Sequence, residues 1–421
     1  MGASSTSTRG KIGALADLRW LILMVCCIVG VTALSDERIF LGEAVVVPTL
    51  STLRTFLVPV VMILLVTALD DVLPGKIYCG PVTPCGYVPL YKDNAVAHCV
   101  ATNAIFVVGI AAKLWPATIF VDEFSRLVSA LNVIGLLTSA WLYRKGLGCS
   151  KFTDAGPTSN GCFHDIFWGV ILYPRCFGRD VKRILNCRFS MTFWMLHGIS
   201  CVAAGVQRHG ELDPALVASA VSQWIYLFKF FWWEAGYMHS IDIILDNAGF
   251  YETWGVLVYV PAMYTVHTRA LVVSPSGMSW ATASMLMGIS LVFILCNYLP
   301  DRQRQNFRSG HRDDDSFIEA TYTIVNGNGE TSTRTARLVC SGWWGWSRHP
   351  QYAFEMATAW TWGLLGCPWQ NHGTSCLYGI FITCLLIQRA GRDEEKCLKK
   401  YGKHYLEYMH RVPWKILPWV W

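Results

Sequence analysis

The chain predicts an all-α fold: a polytopic transmembrane helical bundle of about ten spans, with one small cytoplasmic β-hairpin loop. Three observations point there. Of 421 residues, 53% are hydrophobic and only 15% are charged, where a soluble domain carries about a quarter charged residues. The apolar residues gather in long windows, each near the roughly 20 residues that cross a bilayer. Lysine and arginine collect in alternate loops, which is the pattern of cytoplasmic segments.

In order, the windows lie near Leu18–Leu34, Leu53–Leu69, Ala95–Trp115, Leu127–Tyr143, Met191–Val206, Pro214–Trp232, Trp254–His267, Ser279–Leu299, Ala353–Leu365 and Cys376–Ile387. The last two are short for a crossing. Arg9, Lys11 and Arg19 stand at the first window. Arg144, Lys145, Arg175, Arg179, Lys182, Arg183 and Arg188 lie between the fourth and fifth. Arg302, Arg304, Arg308, Arg312, Arg334 and Arg337 follow the eighth, and Arg389 to Lys403 repeat the pattern in the tail. Intervening loops such as 35–52 and 207–213 are acidic or nearly neutral. An even number of spans with both termini cytoplasmic satisfies this distribution. The net charge of +6 follows from that topology and implies no nucleic-acid partner. Residues 1–16 then read as a cytoplasmic tail and 17–421 as one membrane domain without internal repeats.

The first window is long and TALSDERIF is an indifferent cleavage site, so it reads as a span, not a signal peptide. MGASST fits the acceptor pattern for myristoylation at Gly2, although a plain small-residue terminus is the favoured reading. Seven of the sixteen cysteines lie within windows, where a thiol is a small apolar group. Cys79 and Cys85 could pair, but a cytosolic loop favours free thiols. The chain has no CxxC and no HExxH, so no metal site is expected.

Between Pro300 and Gln351, alternating TYTIV and STRTARLV flank NGNG, which predicts a hairpin. It would bring Arg308 and the start of SGWWG together. Beyond Ile387 the tail predicts a helix stopped near Tyr401–Gly402 and a second short helix ending at Val412–Pro413.

Chemistry concentrates in SGWWGWSRHPQY (Ser341–Tyr352) and in the basic run from Arg392 to Tyr408. Arg304 and Arg308 share a helix face and offer fixed donors to phosphate oxygens. Arg348, His349 and Lys400 add further cationic donors. Trp343, Trp344, Trp346, Tyr352 and Tyr401 could stack on flat rings, or could form an interfacial belt. Together they suggest a planar, phosphorylated cofactor. Acids at membrane depth are costly and usually functional, which singles out Glu234, Asp242, Asp246 and Asp393; Asp165 precedes another apolar run. Tyr264, a polar tip on an apolar span, is a candidate proton donor.

These segments resemble the sterol reductases of the endoplasmic reticulum, a family that includes sterol carbon-14 reductases and the lamin B receptor. Ile241–Gly255 is similar to the family's block of aspartates, glycine and aromatics. LVCSGWWGWSRHPQY is similar to its SG-W-G-x-x-RH-x-N-Y block, and Arg392–Trp421 to its closing signature. The delta-7 sterol reductase branch is the nearest in resemblance. Residues 234–421 then carry the cofactor and catalytic motifs.

The resemblance implies an NADPH-dependent reductase acting on a ring double bond of a sterol in sterol biosynthesis, an oxidoreductase acting on CH–CH bonds. The expected delta-7 substrate is 7-dehydrocholesterol or a related delta-5,7-sterol. The implied site is multi-pass in the endoplasmic reticulum membrane, among membrane lipid and other sterol-biosynthesis enzymes. NADPH contacts are implied at Arg304, Arg308, Val339, Trp344, Gln351, Tyr352, Asp393, Cys397, Lys400, Tyr401 and Tyr408. The family has lysine where Arg304 stands, asparagine where Gln351 stands, and Asn-Pro-Arg where Tyr173–Arg175 reads YPR. An unactivated alkene needs an acid before it accepts hydride. Tyr264 is the expected donor with Asp393 in support, and Asp242 and Asp246 are second choices.

Other readings start from the same residues. The target could be a carbon-14 or side-chain double bond. RHPQY followed by YGKHYLEYMHRVP also resembles membrane methyltransferases that use S-adenosylmethionine, and the proline fits those better. That reading leaves everything upstream of Cys340 unexplained. A non-catalytic sterol-binding scaffold is the third alternative.

Overall fold

A computed structural model of the chain describes residues 4–43, 49–83, 86–148, 156–308, 316–325 and 331–421, with the side chains of 4–16 and 324–325 excepted. Gly2, Cys85 and the turn Asn326–Gly329 lie outside the described residues. Each expected apolar window is helical over most of its length; the third stops at Ala111 and the seventh breaks between Met263 and Val266. Among the described residues, eight helices are long and apolar enough to cross a membrane. Two others fall shorter: Ala95–Ala111 has 17 residues and Pro350–Leu365 has 16. The chain is a polytopic helical membrane protein with small antiparallel sheets.

The described residues form two compact units. The first comprises residues 1–212 and 223–275. Its core gathers Phe124, Leu127, Leu131, Phe193, Phe250 and Trp254, and Trp254 donates its indole N–H to Asn132 Oδ1 at 2.9 Å. Two π-helical turns, Arg183–Ser190 and Gly255–Tyr259, interrupt the α pattern, and such turns cluster at functional sites. They are tied together where Ser190 Oγ donates to the Val256 carbonyl at 2.7 Å.

The basic loop before the fifth window is more than topological charge. Arg183 and Arg188, expected as positive-inside decoration, are buried, with Arg188 wholly inaccessible. Arg188 bridges Asp70 at 2.9 Å and Glu234 at 2.8 Å, and Arg183 meets Asp70 at 2.9 Å. Asp70 ends an apolar helix and Glu234 follows another. Carboxylates at that depth require buried cations, and these arginines supply them. Lys182, also buried, donates to the carbonyls of Asp242, Ile243 and Asp246 at 2.6, 2.8 and 2.8 Å.

In the same unit Gly169 and Gly249 meet backbone to backbone. A Cβ on Gly249 would lie 2.1 Å from the Gly169 nitrogen, and one on Gly169 would lie 2.3 Å from the Gly249 nitrogen. Gly169 also holds φ +87°, a region that side chains disfavour. The Ala248 N–H donates to the Ile171 carbonyl beside this contact at 2.8 Å.

The second unit comprises residues 213–222 and 276–421. Its long helix Trp280–Arg308 packs on Pro350–Leu365, where Trp362 Nε1 donates to Ser290 Oγ at 2.9 Å. The expected hairpin is present as strands Phe317–Val325 and Thr331–Val339, antiparallel from Phe317↔Val339 to Val325↔Thr331. The tail forms the helices Leu377–Tyr401 and Lys403–Arg411. Gly402 separates them at φ +53°, where glycine avoids the Cβ clash.

Candidate functional site

The cofactor residues expected from the sequence all fall in the second unit, and three small cores hold the apolar and aromatic ones among them. Phe307, Val339 and Trp344 pack with Phe317 and Trp343. Ile318, Cys340, Tyr405, Tyr408 and Val412 pack with Cys397 and Tyr401. Ala353, Ala390 and Ile416 pack with Tyr352. The hairpin therefore packs on the long helix in the first core and on the tail in the second.

Trp344 anchors the first core by donating its indole N–H to the Pro300 carbonyl at 2.8 Å. Its ring faces the Arg304 guanidinium 4.6 Å away, and Arg304 also pairs with Asp301 at 2.9 Å. Arg308, one turn later, ends the helix exposed and meets no carboxylate among the described residues. Lys400 lies 4.2 Å from the Tyr322 ring and 4.9 Å from the Tyr401 ring, and those two rings meet edge to face at 5.3 Å. Asp393 is half-buried, and Cys397 Sγ approaches its Oδ2 at 3.9 Å. Burial pushes the Tyr408 hydroxyl well above the usual phenol range, so it remains a hydrogen-bond donor at neutral pH.

Two expected cationic donors are not available as such. Arg348 is buried and committed to the tail. It donates to Glu394 Oε1 from Nε at 2.8 Å and Nη2 at 2.5 Å, and to the carbonyls of Val412 and Pro413 at 2.7 and 2.8 Å. Lys415 completes the cluster by pairing with Glu394 at 2.8 Å. His349 is neutral: burial first, then the charges of Arg348, Arg304 and Lys415, pull its imidazole down to about 3. Its ring stacks on Tyr352 with centroids 5.0 Å apart.

Among the described residues, three buried polar atoms in this segment find no hydrogen-bond partner: Ser347 Oγ, His349 Nε2 and Gln351 Oε1. Such atoms are costly unless something polar meets them. They fit a ligand that offers hydrogen-bonding groups of its own. Sequence reasoning passed over Ser347. The motif gave no sign that its hydroxyl turns inward.

The expected acid, Tyr264, belongs to the first unit. It stands where the helix breaks between Met263 and Val266. Thr265 Oγ1 takes the Pro261 carbonyl at 2.6 Å, and Arg269 Nη2 takes that of Ala262 at 2.8 Å. The Tyr264 ring meets the edge of Trp194 at 5.3 Å. Beneath it, Trp194 Nε1 donates to Gln223 Oε1 at 2.7 Å, and Gln223 donates to Thr268 Oγ1 at 2.5 Å. A phenol is thus held at a helix break over a buried polar chain. Asp242 and Asp246 belong to other surroundings. Tyr237 donates to Asp242 Oδ2 at 3.2 Å, and the backbone carbonyls of both aspartates hold Lys182. The two aspartates do not share a helix, because Ile241–Ile244 spans one turn and stops before Asp246. Asp165 fixes a turn, accepting from the Thr158 N–H at 2.8 Å and hydroxyl at 2.5 Å.

Comparison with known proteins now bears on the whole chain. The family described as "Ergosterol biosynthesis ERG4/ERG24 family" matches residues 21–421. A 7-dehydrocholesterol reductase of Arabidopsis thaliana is 35% identical over 364 residues, which is 83% of this chain and 81% of its own length. The probable 7-dehydrocholesterol reductase of Acanthamoeba polyphaga mimivirus is 30% identical over 350 residues, 82% of this chain and 75% of its own. The delta(14)-sterol reductase ERG24 of Saccharomyces cerevisiae is 28% identical over 374 residues, 85% of this chain and 81% of its own. The family match takes in the segment upstream of Cys340 that a methyltransferase reading leaves unexplained. From residue 21 to its last residue, the chain belongs to the ergosterol biosynthesis ERG4/ERG24 family, and it is a sterol reductase.

Proposed function

We propose that this reductase uses NADPH to saturate the delta-7 double bond of a delta-5,7-sterol such as 7-dehydrocholesterol. The observation that carries the substrate is the 35% identity, over 83% of the chain, to a protein named 7-dehydrocholesterol reductase. A delta-14 substrate is the second reading, favoured by the yeast relative.

NADPH, when bound, supplies hydride. The chain's own residues do the rest. Arg304 and Arg308 take phosphate, with Lys400 adjoining, because guanidiniums offer fixed donor pairs to phosphate oxygens. Trp344, Tyr352, Tyr401 and Tyr408 line the ring-bearing part, with Val339 and Cys397 as apolar contacts. Gln351 Oε1 and His349 Nε2 offer the unpartnered polar atoms. Tyr264 would deliver its phenolic proton to one alkene carbon, and a bound NADPH would supply hydride to the other. Asp393, in the same unit as the cofactor residues, supports the cofactor. General acid catalysis of this kind requires a positioned proton, and the helix break that holds Tyr264 supplies the position. Asp242 and Asp246 serve the loop around Lys182. The enzyme works in the endoplasmic reticulum membrane with both termini cytoplasmic, beside other enzymes of sterol biosynthesis.

The test is expression in membranes with NADPH and separate sterols bearing delta-7, delta-14 or side-chain double bonds. NADPH-dependent loss of the delta-5,7-diene is expected. Its absence, with loss of a delta-14 sterol instead, overturns the delta-7 assignment. NADH serving as well as NADPH overturns the cofactor assignment.

A further inference from the structure

The helix Trp280–Arg308 presents two chemically distinct faces. Arg304 and Arg308 occupy one. Arg302 and Asn306, each two residues earlier, lie roughly 200° away around the helix. That second face also carries Leu299 and, further along the span, Leu295 and Val292. Val292 is 57% and Leu295 55% exposed, so the stripe is turned towards surrounding lipid. Where the stripe ends, a groove of about 740 Å³ opens, lined by Leu299, Arg302, Gln303, Asn306, Trp343 and Trp346.

The groove is built from interlocking groups. Gln303 donates to the Ser341 carbonyl at 3.1 Å and accepts from the Trp343 N–H at 3.0 Å. Gly342 lines it too, at φ +56°, where a Cβ would meet the Gln303 amide at 2.5 Å. Trp343 and Trp346 both pack on Phe354, at 5.5 and 5.8 Å. Arg302 is the only charged residue lining the groove among the described residues, and none of the described carboxylates pairs with it.

We propose that this groove binds a glycerophospholipid of the surrounding leaflet. Its phosphate meets the Arg302 guanidinium, its glycerol lies at Leu299 under the indoles, and an acyl chain follows Leu295 and Val292. An arginine matches phosphate geometry, and indoles favour the headgroup level. A sterol, with one neutral hydroxyl, would leave Arg302 without a counter-charge. A soluble nucleotide would leave the apolar stripe unused. The site is separate from the nucleotide face on the other side of the helix.

Native mass spectrometry tests this on the delipidated full chain in detergent, titrated with dioleoyl phosphatidylglycerol or, in a parallel arm, with cholesterol. Wild type is expected to hold one phosphatidylglycerol that Arg302→Gln binds about tenfold more weakly. Arg302→Lys is expected to retain most of that binding, and cholesterol retention to be the same in all three. Equal phosphatidylglycerol binding by wild type and Arg302→Gln overturns the proposal. A matching loss of cholesterol in Arg302→Gln also overturns it, because the groove would then not be selecting phosphate.

Discussion

Arg348 reaches Glu394 across 46 residues of chain with two guanidinium nitrogens, at 2.8 and 2.5 Å, and its remaining donors close on the tail carbonyls. The motif that resembles a cofactor-binding loop is thereby fastened to the last helices. Removing one partner of a buried ion pair costs about 3–5 kcal/mol, because the other charge is left unpaired. Arg348→Ala is expected to lower the melting temperature sharply and to expose residues near Val412 to protease. A change of Arg348 and Glu394 together to apolar residues of similar size should recover much of the loss. Thermal melts and limited proteolysis of the purified protein check both.

His349 makes stability depend on pH. Its folded value of about 3 lies below the ordinary 6.5, so between those values the unfolded chain binds a proton that the folded one excludes. Stability therefore falls as pH drops below about 6.5, by up to roughly 1.4 kcal/mol per pH unit. His349→Gln removes this contribution. Melting curves at pH 7 and pH 5 should show a smaller acid-side loss for the variant than for wild type.

Arg308 is the exposed cation at the helix end, and Arg304 is already engaged by Asp301. Arg308→Ala is expected to raise the KM for NADPH by roughly 10–100-fold, the scale of one charged hydrogen bond, with the sterol KM little changed. Steady-state kinetics with each substrate varied in turn distinguishes this from a general loss of folding. An unchanged NADPH KM would remove Arg308 from the phosphate site.

Tyr264→Phe deletes one oxygen and leaves the ring against Trp194. Turnover should fall by about 10²–10⁴, the usual contribution of a positioned acid, while NADPH binding measured by calorimetry stays at the wild-type value. Weakened NADPH binding in this variant would refute the role of donor.

The spans, the hairpin and the helix stop at Gly402 were legible because each rests on local signals: apolar length, two-residue alternation, and a residue free of a Cβ. The roles of the charges were less so. Arg348 and Arg308 are the same residue type a short distance from the same motif, yet one holds the tail and the other ends a helix exposed. Sequence position does not separate an arginine that binds a ligand from one that binds its own chain, since both need carbonyl or anionic oxygens. His349 reads as a cation until burial is known. Arg183 and Arg188 follow the positive-inside pattern, and only the folded chain brings Asp70 and Glu234 to them. The π-helical turns have no period to reveal them.

The contact between Gly169 and Gly249 has a consequence for how such a protein can vary. Most neighbouring side chains can change together, a loss of volume on one side answered by a gain on the other. Here each residue is already the smallest available, and each nitrogen lies where the other's Cβ would stand. No paired exchange exists. A survey of correlated substitutions among relatives would therefore be silent at this junction, and the constraint would register only as two positions that do not move.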